Sequence, residues 1–302
     1  MAARTFPSGE ADDGAFVSDV RRIDAHTIDL SVYSPAMGES VPVRVLLPRS
    51  WLRDPYRSFP VLYLLQGAID DYTSWTRETD VERLAAKSDV LVVMPDGGRA
   101  GFYTDWWNFG HPGGPRWETF HTVELPQILR GGNRVTEAQA VVGISEGGLG
   151  ALDYAARHPG AYRFAGSFSG AVDVSDPLTQ SAITLICLRE GVDPRRLWGD
   201  PQGQRAIWNA HNPSRMIDEF RGTKVYLSAA RGKPGRLDKN SPPLAGLLEA
   251  ALYQQNAAFA ERLRAAGVDV TAHLYRTGTH TWRYWRRELH RAWPSILAAL
   301  GS

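Results

Sequence analysis

The chain has 302 residues, of which 43% are hydrophobic and 22% are charged; this ordinary globular composition excludes general disorder and leaves open one large domain or two small ones. Lysine plus arginine total 34 against 33 for aspartate plus glutamate, a balance that gives no reason to expect a nucleic acid or an anionic membrane as a partner. The only cysteine, Cys187, excludes an internal disulfide framework and a metal site built from several cysteines.

No apolar run approaches the roughly 18 residues that a membrane-spanning helix needs, so we expect no transmembrane segment. Residues 1–20 lack the apolar core of a signal peptide, which favours a cytoplasmic protein as the chain is written. A secreted or cell-envelope protein whose presequence had been removed would have the same sequence, so the compartment stays open.

The predicted elements begin after a polar segment. Residues 1–22 are rich in glycine and aspartate and have no period, so we expect a flexible lead-in followed by a single domain from 23 to 302. The predicted strands are, in chain order, 27–33, 41–47, 61–65, 90–94, 140–144, 164–168, 225–227 and 268–275. The predicted helices are 79–87, 117–129, 147–158, 244–266 and 284–300.

Two hairpin strands followed by β-α repeats predict an α/β fold with a mostly parallel central sheet and helices on both faces. Two segments do not fit the repeat. Residues 97–114 are predicted as a long loop rich in glycine and aromatic residues, and residues 175–212 as a less periodic insertion over the sheet.

The strongest chemical signal is GISEG at 143–147, a Gly-x-Ser-x-Gly pattern between a predicted strand and a predicted helix. Glycines on both sides allow a tight, strained turn that lifts the hydroxyl of Ser145 clear of the sheet. The turn also leaves the backbone N–H of Glu146 at a helix N-terminus, where it can stabilise an oxyanion. The alternative is a glycine-rich turn with a capping serine. We interpret Ser145 as a candidate nucleophile.

A nucleophilic serine needs a base, and His280 has the most suitable position. It lies in the loop between the last predicted strand and the last predicted helix, from which an imidazole can reach back over the strand ends. The other downstream histidines have simpler expected roles: a helix end for His158, a strand surface for His273, the solvated side of the last helix for His290, and an open assignment for His211.

The acid that would orient the histidine has two candidates. Asp238 follows the 225–227 strand by about ten residues, a usual position for this acid in a Ser-acid-His order. Glu249 lies in an otherwise apolar stretch, where an unpaired carboxylate would be costly. Spacing alone does not choose between them.

The sequence contains no motif typical of a metal-binding or phosphate-binding site. The sequence has no His-Glu-x-x-His, no glycine-rich phosphate loop and no cysteine–histidine cluster, so no metal and no organic cofactor is implied. Most of the ten tryptophans are expected to be packing residues. Trp106, Trp107 and Trp282, in loops near the candidate site, are candidates for a platform that binds a sugar or an acyl chain.

Several short strings, in order along most of the chain, resemble the antigen 85 mycolyltransferases and the wider esterase D-like group of bacterial esterases. They are YLLQGA at 63–68, DDY at 70–72 with Trp75, VMP at 93–95 with GG at 97–98, FYTDW at 102–106, WETF at 117–120, HP at 158–159, AGSFS at 165–169, LWG at 197–199 and GTHTW at 278–282. The resemblance implies an α/β-hydrolase fold and a serine acyl-enzyme mechanism.

Carried over residue by residue, the resemblance implies roles for the candidates. Ser145 matches the family nucleophile and His280 its histidine. The family acid is a glutamate about thirty residues before that histidine, which selects Glu249. The resemblance also implies that the backbone amides of Ala68 and Glu146 form the oxyanion hole, and that Asp173 lines an acceptor site.

The sequence departs from the mycolyltransferases in the loop at 65–69. Gln66 replaces an aspartate, and an arginine is absent; in that family both help to bind the trehalose acceptor. The family cysteine near the acid is also missing. Glu146 replaces an apolar residue after the nucleophile, and we hypothesise that its carboxylate disfavours anionic substrates or a long lipid. Gln66 remains a candidate substrate-binding residue.

The sequence therefore predicts a serine carboxylesterase with a Ser-His-Glu triad, acting on a small-molecule ester. The close alternative is an acyltransferase that moves the acyl group to a sugar, glycerol or another alcohol. A catalytically silent binding protein on the same fold is the third reading, although Ser145 and His280 are both present.

Overall fold

The computed structural model describes residues 6–238 and 241–302. Its strands are β1 (Phe16–Arg22), β2 (Thr27–Ser34), β3 (Glu39–Leu46), β4 (Phe59–Leu65), β5 (Leu91–Pro95), β6 (Val135–Ile144), β7 (Phe164–Phe168), β8 (Lys224–Ala230) and β9 (Val270–Tyr275). Within the described ranges they form one nine-stranded sheet in the order β1-β2-β3-β5-β4-β6-β7-β8-β9. β1, β2 and β3 pair antiparallel, β3 pairs antiparallel with β5, and the pairs from β5 to β9 are parallel.

The helices are α1 (Ser74–Glu78), α2 (Val81–Ala85), α3 (Trp117–Thr119), α4 (Leu125–Gly131), α5 (Glu146–Arg157), α6 (Pro177–Arg189), α7 (Arg195–Trp198), α8 (Arg205–Ala210), α9 (Pro243–Ala265) and α10 (Trp282–Leu300). A π-helical turn (Phe120–Glu124) joins α3 to α4, and shorter 3₁₀ turns are Asn108–Gly110, Pro213–Arg215 and Ile217–Phe220. Within the predicted helix at 79–87, the structure is helical at Val81–Ala85; Thr79 and Asp80 separate this helix from α1, which precedes the predicted range.

Helices cover both faces of the sheet. α4, α5 and α9 pack on one face through residues such as Ile128, Leu152 and Phe259. α1, α2 and α10 pack on the other through residues such as Trp75 and Leu289. Strands covered on both faces contain almost continuous buried apolar residues, as β5 and β7 do. The predicted α/β-hydrolase fold is therefore confirmed.

The N-terminal segment differs from the predicted lead-in, of which residues 1–5 lie outside the described residues. Phe16–Arg22 is an edge strand paired with β2 rather than an irregular tail. Phe6 also stacks on Trp51, with ring centroids 5.6 Å apart. The strand was missed because most of its side chains are exposed, so the sequence lacks the apolar alternation that marks a half-buried strand.

The predicted insertion at 175–212 contains three helices, α6 to α8. They form a third apolar cluster with the glycine- and aromatic-rich loop, in which Phe102 packs against Trp198. α6 buries Ile183 and Cys187 but leaves Leu185 exposed, so apolar residues surround the helix and hide its period. In the described part of the chain, no helix is both long and apolar enough to cross a membrane.

Candidate active site

Ser145 lies in a strained turn between β6 and α5, as the Gly-x-Ser-x-Gly pattern predicts. Its backbone angles are φ 51° and ψ −118°, a region that residues other than glycine rarely occupy. The neighbouring backbone approaches too closely for a side chain at either glycine. A Cβ on Gly143 would lie 1.9 Å from the carbonyl oxygen of Gly147, and a Cβ on Gly147 would lie 2.3 Å from the carbonyl oxygen of Gln66. The turn therefore requires both glycines and projects Ser145 beyond the carboxyl end of β6.

His280 reaches Ser145 from the loop between β9 and α10. Its Nε2 lies 2.9 Å from Ser145 Oγ, and its Nδ1 lies 2.9 Å from Glu249 Oε2. The imidazole packs edge-on against Trp285, with ring centroids 4.8 Å apart. The backbone N–H of His280 donates to the carbonyl of Ala245 at the start of α9. The histidine is thus held between α9 and α10 with one nitrogen on the serine and the other on a carboxylate.

Glu249 is 2% exposed on the inner side of α9. Its Oε1 accepts hydrogen bonds from the backbone N–H of Ala230 at 2.7 Å and from the hydroxyl of Ser169 at 2.9 Å. Ser169 in turn accepts a hydrogen bond from Trp285 Nε1 at 3.1 Å. These donors satisfy the buried carboxylate and leave Oε2 for His280. Sequence reasoning missed Ser169 and Trp285, although Ser169 ends the AGSFS string on which the resemblance partly rests.

Asp238, the other candidate acid, has different partners. Its oxygens accept from the hydroxyls of Ser241, Thr279 and Tyr284 and from the N–H of Gly235. Burial opposes ionisation of this carboxyl, but the hydrogen bonds outweigh it and lower its pKa. Asp238 therefore ties the loop after β8 to the loop that carries His280, and it does not contact the imidazole.

The remaining downstream histidines have partners of their own. His158, at the end of α5, lies beside Glu118, and His273, on β9, lies beside Tyr226 and Glu288. His290 pairs with Asp80. The buried His211 pairs with Asp153 and stacks on Trp198. The geometry thus brings His280, and none of these four, to Ser145.

A cavity of about 330 Å³ opens over Ser145 and His280, with Ala68, Trp282 and Trp285 in its wall. The chain at Gly67 passes close to Ser145, since a Cβ there would lie 3.4 Å from the Cβ of Ser145. The N–H of Glu146, the first residue of α5, has no acceptor within its helix. The cavity therefore offers an apolar wall beside Ser145. A separate cavity of about 310 Å³, beside His158 and Arg130, lies near the amino ends of β6 and β7.

Four predicted substrate residues are absent from this cavity wall: Gln66, Trp106, Trp107 and Asp173. Gln66 is 1% exposed, and its side-chain amide donates to the carbonyls of Asp70 and Gly98. Trp106 donates from its indole N–H to Gly101. Asp173, in the turn before α6, accepts hydrogen bonds from the hydroxyl of Ser175 and from the side-chain amide of Asn212. Of the predicted substrate-binding side chains, the structure therefore brings Trp282 to the cavity.

The side chain of Glu146 is turned away from the cavity and into the protein. Its Oε1 accepts the backbone N–H of Phe102 at 2.8 Å, which ties the glycine- and aromatic-rich loop to the nucleophile turn. Burial raises the pKa of this carboxyl well above its usual value, although the bond from Phe102 opposes the rise. Glu146 is not part of the cavity wall and burial disfavours the charged form of its carboxyl, so the structure gives no support to a charge effect on an anionic substrate or a long lipid.

Comparison with known proteins places these features in context. The chain matches the family model described as "Putative esterase" over residues 34–296. It is 33% identical over 284 residues to the diacylglycerol acyltransferase/mycolyltransferase Ag85A of Mycobacterium leprae, an alignment that covers 90% of this chain and 83% of the relative. It is 32% identical over 314 residues to Ag85B of Mycobacterium intracellulare, which carries the same activity name, with 100% and 92% covered.

A solved structure is similar over the same extent. The crystal structure of MPT51 from Mycobacterium tuberculosis superposes with a TM-score of 0.74 and 28% sequence identity, covering 90% of this chain and 97% of that protein.

Proposed function

The chain belongs to the esterase family that includes the antigen 85 acyltransferases, and from this premise we propose that it is a serine carboxylesterase that works through Ser145, His280 and Glu249. The observation that carries the proposal is the continuous contact from Ser145 Oγ to His280 Nε2 and from His280 Nδ1 to Glu249, each 2.9 Å long. Such a chain activates a hydroxyl that is otherwise a weak nucleophile.

In the first half of the reaction, Ser145 Oγ attacks the ester carbonyl while His280 Nε2 takes the hydroxyl proton. The negative charge that develops on the carbonyl oxygen is stabilised by the backbone N–H groups of Ala68 and Glu146. His280 then gives its proton to the leaving alcohol, the C–O bond of the ester breaks, and an acyl-enzyme remains on Ser145.

In the second half, a water molecule gives its proton to His280 and attacks the acyl carbonyl. The bond to Ser145 Oγ breaks, the serine recovers a proton from His280, and the free acid leaves. Glu249 keeps the Nδ1 proton directed towards itself and stabilises the imidazolium in both halves. No net charge or redox change accumulates on the enzyme.

Hydrolysis and acyl transfer share all of these residues and differ only in what attacks the acyl-enzyme. Two features support water as the acceptor: the loop at 65–69 lacks the acidic and basic pair of the mycolyltransferases, and Gln66 is occupied by backbone carbonyls. The activity named for the relatives Ag85A and Ag85B supports the second candidate, transfer to an alcohol.

The test is product analysis with p-nitrophenyl esters of increasing acyl length, with and without glycerol, glucose or trehalose, for the wild type and Ser145→Ala. We expect serine-dependent release of p-nitrophenol, with free acid as the product whether or not the alcohols are present. An acylated alcohol formed at the expense of free acid would move the assignment to acyltransferase. Absence of serine-dependent turnover on every ester would leave a silent binding protein.

A further inference from the structure

Five exposed basic side chains lie close together on the loops after β8 and β9 and at the start of α10. They are Arg231, Lys233, Arg236, Arg276 and Arg283. None of the five forms an ion pair within the described part of the chain, unlike Arg77, which pairs with Asp70, and Arg99, which pairs with Glu190. We call these five residues the basic rim.

Backbone contacts hold the two loops of the basic rim side by side. The N–H of Arg231 donates to the carbonyl of Tyr275, directly before Arg276. The N–H of Gly278 donates to the carbonyl of Lys233 at 2.7 Å. The guanidinium of Arg283 donates to the carbonyl of Leu237 at 2.9 Å, directly after Arg236. These contacts therefore bring together basic residues from two segments that are distant in sequence.

Asp238, the acidic residue within these loops, forms no ion pair with a residue of the basic rim in the described part of the chain. Asp238 is engaged by the hydroxyls of Ser241, Thr279 and Tyr284, which hold the two loops together. The almost balanced charge of the whole chain thus hides a local excess of unpaired cations.

Two leucines project into solvent next to the rim. Leu244 is 67% exposed and Leu247 is 71% exposed on the first turns of α9. Gly246, between them, touches the loop of the rim so closely that a Cβ on Gly232 would lie 1.9 Å from its carbonyl oxygen. Ala245, also between them, accepts the backbone N–H of His280. The segment that carries the two leucines therefore contacts both the loop of the rim and the loop that carries His280.

We propose that the basic rim and this leucine pair bind the surface of an anionic lipid bilayer, with the mouth of the serine cavity beside the membrane. Unpaired arginine and lysine side chains at such a surface are attracted by the lipid phosphates, and exposed apolar side chains beside them enter the boundary with the acyl chains. A soluble polyanion would be bound by the cations alone and would leave the leucines in water. The binding goes beyond the proposed ester hydrolysis and needs neither Ser145 nor turnover.

The experiment is co-sedimentation of the full chain with vesicles of phosphatidylcholine alone and of phosphatidylcholine with phosphatidylglycerol. We expect binding to the anionic vesicles, weak binding to the neutral ones, and loss of binding when salt shortens the screening length from about 10 Å to about 3 Å. Ser145→Ala is expected to bind like the wild type, so that a failure of catalysis and a failure of membrane binding are distinguishable.

Two pairs of variants separate charge from apolar contact. Lys233→Glu/Arg236→Glu is expected to lower the vesicle partition coefficient about 30-fold or more, since each basic residue near an anionic surface contributes about a five-fold factor. Its matched control, Arg49→Glu/Arg53→Glu, changes the net charge equally near the start of β5, at the opposite end of the sheet, and is expected to have a much smaller effect. Arg49 and Arg53 are both exposed.

Leu244→Gln/Leu247→Gln is expected to lower partitioning about 10-fold without a change of charge, because less apolar surface enters the bilayer. The matched control is Leu52→Gln, a 47% exposed leucine in the Arg49–Arg53 segment. The charge variants, the leucine variants and their controls are all expected to hydrolyse a soluble short ester at the wild-type rate, which also shows that they are folded. The proposal would be overturned by equal binding to neutral and anionic vesicles, or by no binding to either. It would also be overturned if the control variants lost as much vesicle binding as the rim variants. Loss with the charge pair but not with the glutamine pair would overturn it in favour of a soluble polyanion.

Discussion

The hydroxyl of Ser169 donates a 2.9 Å hydrogen bond to Glu249 Oε1, deep beneath the candidate histidine. Ser169 has φ 53°, an uncommon backbone conformation for a serine, and it also accepts the indole N–H of Trp285. Because Ala230 donates to the same carboxylate oxygen, Glu249 is fixed by groups from β7, β8 and α10 together. The orientation of the candidate acid is thus set by elements that are distant in sequence.

Ser169→Ala is predicted to lower kcat about 10-fold and the free energy of unfolding by about 1–2 kcal/mol. The carboxylate of Glu249 would lose one of its two fixed donors, and the buried indole N–H of Trp285 would lose its acceptor. KM is expected to change little, because Ser169 does not line the cavity. Ester kinetics and thermal unfolding measure the two effects.

The matched control is Ser167→Ala, two residues earlier in β7. Ser167 is equally buried, but its hydroxyl has no hydrogen-bond partner in the described part of the chain. Its kcat is expected to remain within a factor of about two of the wild type. Equal kcat for Ser169→Ala and the wild type would show that Ser169 has no positioning role.

Glu249→Gln is predicted to lower kcat by about 10⁴-fold, because an amide cannot stabilise the imidazolium and favours the wrong tautomer of His280. Asp238→Asn is predicted to lower kcat less than about 10-fold and mainly to lower Tm, since Asp238 joins two loops without touching the imidazole. Steady-state kinetics of both variants distinguish the two acids. A crippled Asp238→Asn beside an active Glu249→Gln would reverse the assignment.

Glu146→Gln is predicted to change how stability depends on pH. Burial in the folded protein raises the pKa of the Glu146 carboxyl well above the usual 4.5, which favours its neutral form. Above pH 4.5 the unfolded chain releases this proton and the folded chain keeps it, so stability contributed by this group falls as pH rises towards the folded pKa. Gln keeps an acceptor for the Phe102 N–H but does not titrate.

Thermal unfolding at a series of pH values from about 5 to 9 measures this effect. The Tm of Glu146→Gln relative to the wild type is expected to increase steadily with pH. A difference in Tm that does not vary with pH would mean that the carboxyl is already ionised in the folded protein.

Trp282→Ala is predicted to shift the preferred ester towards longer acyl chains and to lower kcat/KM for the original preferred ester about 10-fold. Trp282 lines the cavity and packs edge-on against Trp75 and Trp285, so its removal enlarges the apolar wall. Trp106→Ala serves as the comparison, because that ring lies outside the cavity wall. An unchanged chain-length profile for Trp282→Ala would contradict the assignment of the cavity as the acyl site.

The sequence predicts the candidate site best where the site requires particular residue types at fixed positions in the backbone. The strained turn at Ser145 is predictable because such a turn needs glycines at fixed positions around the serine. The approach of His280 to it is predictable because His280 follows the last strand, at the edge where Ser145 also lies. Glu249 was not predictable from spacing, since Asp238 lies in the same region; only the family resemblance selected it. The structure adds the reason, which is that the oxygens of Asp238 are occupied by three hydroxyls and one amide.

What the sequence could not provide depends on contacts between distant segments or on side-chain direction. Ser169 and Trp285 are 116 residues apart, and no local pattern connects them. Gln66 lies in the predicted loop beside the nucleophile, but its side chain turns to backbone carbonyls. Phe16–Arg22 was missed as a strand because its exposed edge position removes the apolar alternation on which the prediction depends.

The most direct test of the serine mechanism is labelling with a fluorophosphonate, followed by peptide mass mapping and a parallel ester assay. The account predicts a single adduct on Ser145 that appears as activity is lost, no adduct in Ser145→Ala, and much slower labelling in His280→Ala, where the hydroxyl has no base. An adduct on another residue, or full ester hydrolysis by Ser145→Ala, would contradict it.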